Sequence, residues 1–250
     1  MLSKNQIKFI RSLEQKKHRK ETGLFVAEGG KTVCDLLGSG IRCEYIAATK
    51  EWLAGNRGVK APRIIETSEE ELKSISFLRA PQGVIGIFGQ RDAAVDTSVV
   101  QQQLCLALDD VQDPGNLGTI IRIADWFGIE HIFCSQGTAD VYNPKTVQAT
   151  MGAIGRVNVH YVNLPQLLES TIGKAPVYGT FLDGENIYGK TLAKNGIIVM
   201  GNEGNGIGKE CAAHIGERLL IPSYPAERPT SESLNVSTAT AIICAEFRRR

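Results

Sequence analysis

Arg122 lies inside an otherwise apolar helical stretch. The stretch DPGNLGTIIRIADWFG (113–128) opens as a polar, glycine-bearing turn and continues in helix-forming residues, the order in which a phosphate loop runs into its helix. It lacks the lysine that a nucleoside triphosphate loop needs. Leu117, Ile120, Ile121 and Ala124 recur at i, i+3, i+4 and i+7. They form one buried face and leave Arg122 on a narrow polar strip with Thr119 and Asp125. A guanidinium placed there either pairs with Asp125 at i+3 or is presented to an external phosphate, which its planar fork of donors suits. It is not a base, because it keeps its proton up to a pH above about 12.

Three late strands end in unusual loops. PVYGTFLDG leaves its strand at Gly179-Thr180, IIVMGNEGNGIG at Gly201, and LLIPSYPAERPTSESLNVS at Ile221-Pro222. Strand, glycines and helix in series suggest a dinucleotide site, but GNEGNGIG does not contain GxGxxG. Taken alone, it reads as a tight turn.

The elements that would position these loops alternate along the chain. Ile7, Ile10 and Leu13 predict an amphipathic helix ending before Gly23. LFVAE (24–28) then reads as a strand, KTVCDLLGSG as a helix, CEYIAAT and RII (63–65) as strands, and GVIGIF (83–88) as a fourth. Ser68 and Glu71 form a capping box. The polar stretch 93–103 reads as a linker between a small α/β unit, 1–92, and a second domain, 104–250. In that domain LCLAL, HIFC, VNVHYV, PVYGTF, GIIVM and RLLIP are strands. Helices are expected after Asn116, from Pro144, over 164–171 and from about Asn235. Such alternation implies a mainly parallel sheet covered by helices, with ligands at the carboxyl ends of its strands.

Composition narrows the class. The 250 residues carry a net charge of +1, which argues against a chain that coats nucleic acid indiscriminately. Residues 1–20 nevertheless hold seven Lys or Arg against one Glu. Lys16, Lys17, Arg19 and Lys20 are candidates for a phosphate backbone, or for a solvated helix face whose basic last turn suits the helix dipole. The six cysteines form no CxxC pair and mostly sit in apolar runs, so buried free thiols are expected and no metal site. No segment is long and apolar enough for a membrane span or a secretion signal, and a cytoplasmic protein is expected.

Three motifs in order, DPGNLGTIIRIADWFG, MGNEGNGIG and IPSYPAERPTSESLNVSTATAI, resemble those of the SpoU (TrmH-type) RNA ribose 2'-O-methyltransferases of the SPOUT superfamily. NPKTVQATMGAIGRV (143–157) is similar to the segment between the family's first and second motifs, and FVAEGGKTV (25–33) to the start of its L30e-like substrate-binding module. The resemblance implies an α/β fold whose C-terminal parallel-sheet domain carries a deep trefoil knot. It implies methylation of a ribose 2'-hydroxyl in RNA, ribosomal before transfer RNA, with S-adenosyl-L-methionine as cofactor and a homodimer as the working form. The apolar last helix, NVSTATAIICAEF, is a candidate for the dimer interface or for ordinary core packing.

By the same resemblance, the cofactor lies on Thr180, Gly201, Ile221 and Leu234, and the catalytic polar set is Asn116, Arg122, Glu203, Ser233 and Asn235. Each of the latter has a plainer use: Asn116 as a helix cap, Glu203 as a holder of loop amides, Ser233 or Asn235 as the cap of the last helix. The motif arginine is sometimes described as a general base; its chemistry makes it a phosphate clamp instead. Two departures stand out. The insert SYPAERPTSE, with Glu227 and Arg228, is long for the family, and Ile123 follows the arginine where a small polar residue is common. An RNA-binding protein without catalysis and a nicotinamide enzyme are the competing classes.

Overall fold

The basic N-terminal segment folds as two helices, not one. In the computed structural model, which describes residues 2–91, 95–225, 231 and 233–249, these are α1 (Lys4–Ser12) and α2 (Lys16–Thr22). Arg19 makes the break. Its Nη1 donates to the carbonyls of Leu13 and Glu14 at 2.8 and 2.6 Å, groups that a continuous helix would bond internally. Its Nη2 pairs with Asp140 at 2.6 Å. Arg19 is only 2% exposed, so its assignment to RNA is corrected: both Nη atoms are taken by interior partners, and Nε is buried with them. Lys16, Lys17 and Lys20 are exposed.

Two units emerge, one built from residues 2–91 together with 140–156, the other from 95–139 and 157–249. The first holds β1 (Leu24–Glu28), α3 (Gly30–Gly38), β2 (Cys43–Thr49), α4 (Lys50–Gly55), β3 (Ile64–Thr67), α5 (Glu69–Ile75) and β4 (Val84–Gly89). Its sheet runs β1-β4-β2-β3, with only β2 and β3 parallel. The capping box forms as its spacing predicts, Glu71 N donating to Ser68 Oγ and Ser68 N to Glu71 Oε2, both at 3.1 Å. Ile10, Leu13, Val26, Ala47, Leu72, Ile75, Ile85 and Ile87 make one core, each large side chain contributing about 1.5–3 kcal/mol. The α7 helix (Pro144–Thr150), expected within the domain 104–250, belongs to this unit. Beside it the Tyr142 ring lies 4.8 Å from that of Phe25, and the Tyr142 hydroxyl accepts from Arg91 N at 2.8 Å.

In the second unit, β5 (Leu104–Leu108), α6 (Pro114–Trp126), β6 (His131–Cys134), β7 (Asn158–Tyr161), α8 (Leu164–Thr171), β8 (Val177–Asn186), β9 (Gly196–Met200), α9 (Lys209–Ala212), β10 (Glu217–Leu220) and α10 (Val236–Arg249) follow in order. Every pairing in the sheet β10-β8-β9-β5-β6-β7 is parallel, as the continuous apolar runs of β5 and β9 require. Residues 97–101, expected within the linker 93–103, form a 3-10 turn that buries Val100 in this unit's core; residues 92–94 lie outside the described residues. Cys105, Cys134, Cys211 and Cys244 are buried, Cys34 and Cys43 half-buried, and all are free. Among the described residues no group of three or more His, Cys, Asp or Glu could hold a metal ion, and no helix is long and apolar enough to cross a membrane.

Candidate active site

The loops at the carboxyl ends of β8, β9 and β10 enclose a cleft of about 350 Å3. An interruption of β8 makes one wall. Arg218 of β10 pairs with Gly179, yet the next residue, Leu219, pairs with Glu185, so Thr180–Gly184 swing out of register. Thr180, Phe181 and Leu182 of that excursion line the cleft. Arg218 pins it: the guanidinium sits 3.5 Å from the Phe181 ring centroid and binds Asp183 Oδ1 at 2.5 Å, which holds the Asp183 carboxyl below its ordinary range.

The β9 loop makes the second wall. Gly201 is needed there because a Cβ would meet Gly206 C at 2.2 Å and Ile207 N at 2.3 Å; the close approach is to the loop's own backbone. Asn202 closes the turn, its Oδ1 accepting from Gly204 N and Asn205 N at 2.9 and 3.0 Å while its Nδ2 donates to the Asp110 carbonyl at 2.8 Å. Asp110 adopts the left-handed conformation, φ 56°. Asp109 Oδ2 accepts from Gly208 N at 2.8 Å and fastens the far end. Loop amides are thus held by Asn202 and Asp109, not by Glu203.

Glu203 is exposed, lines the cleft, and accepts from Asn116 Nδ2 at 2.9 Å. Asn116 is not the cap of α6. Asp113 is, its Oδ1 accepting from Asn116 N at 2.8 Å, and this leaves the Asn116 side chain free to reach across. Its Oδ1 accepts from Asn235 Nδ2 at 3.0 Å. Asn235 in turn caps α10, its Oδ1 accepting from Ser237 N and Thr238 N at 3.0 and 3.3 Å and from Ser237 Oγ at 2.6 Å. Ser233 lines the cleft beside Leu234, which is 48% exposed.

Arg122 stands apart. Six residues past Asn116, it lies roughly 9 Å along the helix axis and about a third of a turn around it. It is exposed, and no hydrogen bond or ion pair holds it among the described residues, Asp125 included. The apolar face behind it is as expected: Leu117, Ile120, Ile121 and Ala124 are fully buried.

Among the described residues no cysteine lines this cleft. Burial pushes Cys105, Cys211 and Cys244 up to about 12 and Cys43 to about 11, with Asp109 adding to the shift at Cys211.

The model of the SpoU rRNA Methylase family matches residues 103–245. The chain belongs to that family. Residues 4–86 of this SpoU methylase match the MRM3-like substrate binding domain, so the first unit is a substrate-binding domain. The 23S rRNA (guanosine(2553)-2'-O)-methyltransferase RlmP of Bacillus subtilis is 31% identical, covering 98% of this chain and 97% of its own. A TrmH-family structure from Porphyromonas gingivalis superposes with a TM-score of 0.89 at 42% identity, over 100% of this chain and 99% of the other. The AdoMet-bound rRNA methyltransferase of Sinorhizobium meliloti does so with 0.84 at 33% identity, over 100% and 96%.

In this SpoU methylase the tertiary structure gathers Thr180, Gly201, Ile221 and Leu234 around one cleft, with Glu203 and Ser233 on its lining. Asn116, Glu203 and Asn235 form one hydrogen-bonded chain. Asp109, Asp110 and Asn202 were not singled out in the sequence. Asn followed by glycine and Asn, as in NEGN, is a turn signature that points to Asn202; no sequence signal marks Asp110. Glu227 and Arg228 of the insert lie outside the described residues.

Proposed function

We infer that the protein transfers a methyl group to a ribose 2'-hydroxyl of RNA, ribosomal RNA in the first place, and that its knotted second unit holds S-adenosyl-L-methionine. One observation carries the reading: a chain of side-chain amides runs from the start of α10 to Glu203, which lines the cleft bounded by the four residues expected to hold the cofactor. The cleft fits that group. Its volume, about 350 Å3, lies in the ~300–1,000 Å3 range of small-molecule sites. Leu219, Leu220, Ile221, Leu234 and Val236 give an apolar wall for a purine, and Thr180, Asn202 and Ser233 a polar rim for an amino acid. The bound cofactor supplies an electrophilic methyl group on a sulfonium.

The chain's residues then align and enclose. Thr180, Gly201, Ile221 and Leu234 hold the cofactor and keep water from it. Asn116 and Asn235 keep Glu203 in one orientation. Arg122, exposed and without a partner among the described residues, grips the phosphate beside the target ribose and steadies negative charge developing on its oxygen. Lys16, Lys17 and Lys20 give the substrate-binding unit its sequence-independent grip on RNA. The favoured target is a single-stranded or looped segment, whose splayed nucleotide exposes its 2'-hydroxyl.

The trefoil knot is supported by the position of α10, whose Val236 and Ala239 line the cleft together with the β9 loop. A cytoplasmic homodimer completes the reading. The apolar face of α10 is largely spent on its own unit, with Ile243, Cys244 and Phe247 buried. Trp126, 84% exposed at the end of α6, is the surface that supports a pairing.

Incubation of the protein with labelled S-adenosylmethionine and unmodified total RNA, followed by mapping of the label by mass spectrometry, tests this. Label on a ribose oxygen of ribosomal RNA is expected, and label on transfer RNA would move the substrate. Cofactor binding with no label in any RNA would sink the catalytic reading.

A further inference from the structure

Two backbone amides decide which way the Asn235–Asn116–Glu203 chain runs. At the start of α10 the amides of Ser237 and Thr238 point at one terminal atom of the Asn235 side chain, at 3.0 and 3.3 Å. A backbone N–H can only donate, so that atom is the amide oxygen. The Asn235 nitrogen is left to donate to Asn116, 3.0 Å away, and the atom it meets must be the Asn116 oxygen. The Asn116 nitrogen then has to donate to Glu203 Oε1 at 2.9 Å. Every bond points the same way, toward Glu203. The chain ends on its one member that, when ionised, only accepts. Oε2 of the same carboxylate makes no hydrogen bond among the described residues, and Glu203 lines the cleft.

We propose that Glu203 accepts the proton of the ribose 2'-hydroxyl, and that Asn116 and Asn235 are positioning residues that occupy Oε1 so that Oε2 faces the hydroxyl. The proposal rests on the reading of the site as a ribose 2'-O-methyltransferase. The hydroxyl O–H bond breaks and its proton passes to Glu203 Oε2. An electron pair of the hydroxyl oxygen forms the bond to the methyl carbon, while the sulfur–methyl bond breaks and leaves its pair on sulfur. The positive sulfonium thereby becomes a neutral thioether, the carboxylate a neutral acid, and the acid returns its proton to solvent. No other member of the catalytic set can do this. Arg122 holds its proton throughout, both side-chain amides are neutral, and the Ser233 hydroxyl is no stronger a base than the ribose hydroxyl it would have to deprotonate.

The test uses the intact protein and its Glu203→Gln and Glu203→Asp variants, with S-adenosylmethionine affinity measured by calorimetry and single-turnover transfer to unmodified ribosomal RNA followed across pH. Glu203→Gln keeps the Oε1 acceptor and the shape of the side chain. It should bind cofactor as the parent does and lose methyl transfer by about 100-fold or more, the scale of a positioned base. The acid limb of the parent's pH profile, where the carboxylate gains its proton and the rate falls, should vanish with it. Glu203→Asp should keep that limb at a reduced rate. An acid limb surviving in Glu203→Gln would overturn the proposal, as would a rate equal to the parent's, or a cofactor affinity that falls in step with the rate. A parent protein that methylates neither ribosomal nor transfer RNA overturns the functional reading instead, and this one only through it.

Discussion

Asn116 and Glu203 are 87 residues apart in the chain and are joined by a hydrogen bond of 2.9 Å. Asn116 projects from the first turn of α6 because Asp113 has taken over the capping of that helix. Glu203 projects from the β9 loop because Asn202 has taken over the loop amides. Each of these two side chains is released by a neighbour that does the local structural task.

Asn116→Asp tests this coupling. The new carboxylate stands within hydrogen-bond distance of Glu203, and like charges so close force one of the pair to keep a proton. The acid limb of the pH–rate profile should move to higher pH, leaving activity reduced near neutrality and recovering in alkali. A profile superposable on the parent's would show that the two groups are uncoupled in solution.

Gly201→Ala would place a Cβ at 2.2–2.3 Å from the backbone of Gly206 and Ile207. The loop must move, at a cost of about 1–3 kcal/mol in stability. S-adenosylmethionine should raise the melting temperature of the parent by mass action and that of the variant far less. An equal shift in the two proteins would mean that this wall of the cleft does not hold the cofactor.

For Arg122 the substitution by Lys retains the charge and loses the bidentate fork, so transfer should survive with an elevated KM for RNA. Arg122→Ala loses both and should cost roughly 10–100-fold in kcat/KM, the scale of a charge-assisted hydrogen bond. Transfer at the parent rate by the Ala variant would exclude the phosphate clamp.

Basic residues of the N-terminal segment should divide by burial. Arg19→Ala strands the Asp140 carboxylate and two carbonyls and should destabilise the first unit by about 3–5 kcal/mol. Replacing Lys16, Lys17 and Lys20 by Ala should leave urea unfolding unchanged, weaken RNA binding, and flatten its salt dependence by about one unit of slope for each phosphate no longer neutralised. Equal effects in both sets would refute the division.

A histidine pair sets an acid limit on the second unit. His160 is 4% exposed, its ring 5.4 Å from Phe133 and 5.5 Å from His131. Burial, and then the neighbouring His131, hold it below its ordinary 6.5. A folded value beneath the unfolded one means that stability is present above 6.5 and is lost as pH falls through the folded value. The urea midpoint should therefore drop between about pH 7.5 and about pH 5, and His160→Phe should shrink that drop. An unchanged pH dependence in the variant would place the acid sensitivity elsewhere.

Much of this was legible in the chain itself. Period-2 and continuous apolar runs located the strands β1, β2, β4, β5 and β9, and the i, i+3, i+4, i+7 repeat set which face of α6 is buried and left Arg122 outside it, because side-chain periodicity is a local property of backbone geometry. The order of the three motifs pointed to the family. What the local pattern could not carry was the use of a polar side chain whose partner is remote. Arg19 reads as one more surface charge in KKHRK until folding brings Asp140 and the carbonyls of Leu13 and Glu14 around it. Asn116 reads as a cap until Asp113 fills that place. The register shift that swings Thr180–Gly184 into the cleft wall depends on β10 pairing with β8, and the segment 140–156 joins the first unit through packing against β1 and the Arg19–Asp140 pair. Hydrophobic period and turn chemistry are written residue by residue, so the sequence by itself determined the elements and the inventory of reactive groups. Hydrogen bonds between distant side chains form only once the backbone is closed, and so tertiary structure alone decided that Asn235, Asn116 and Glu203 make one directed chain.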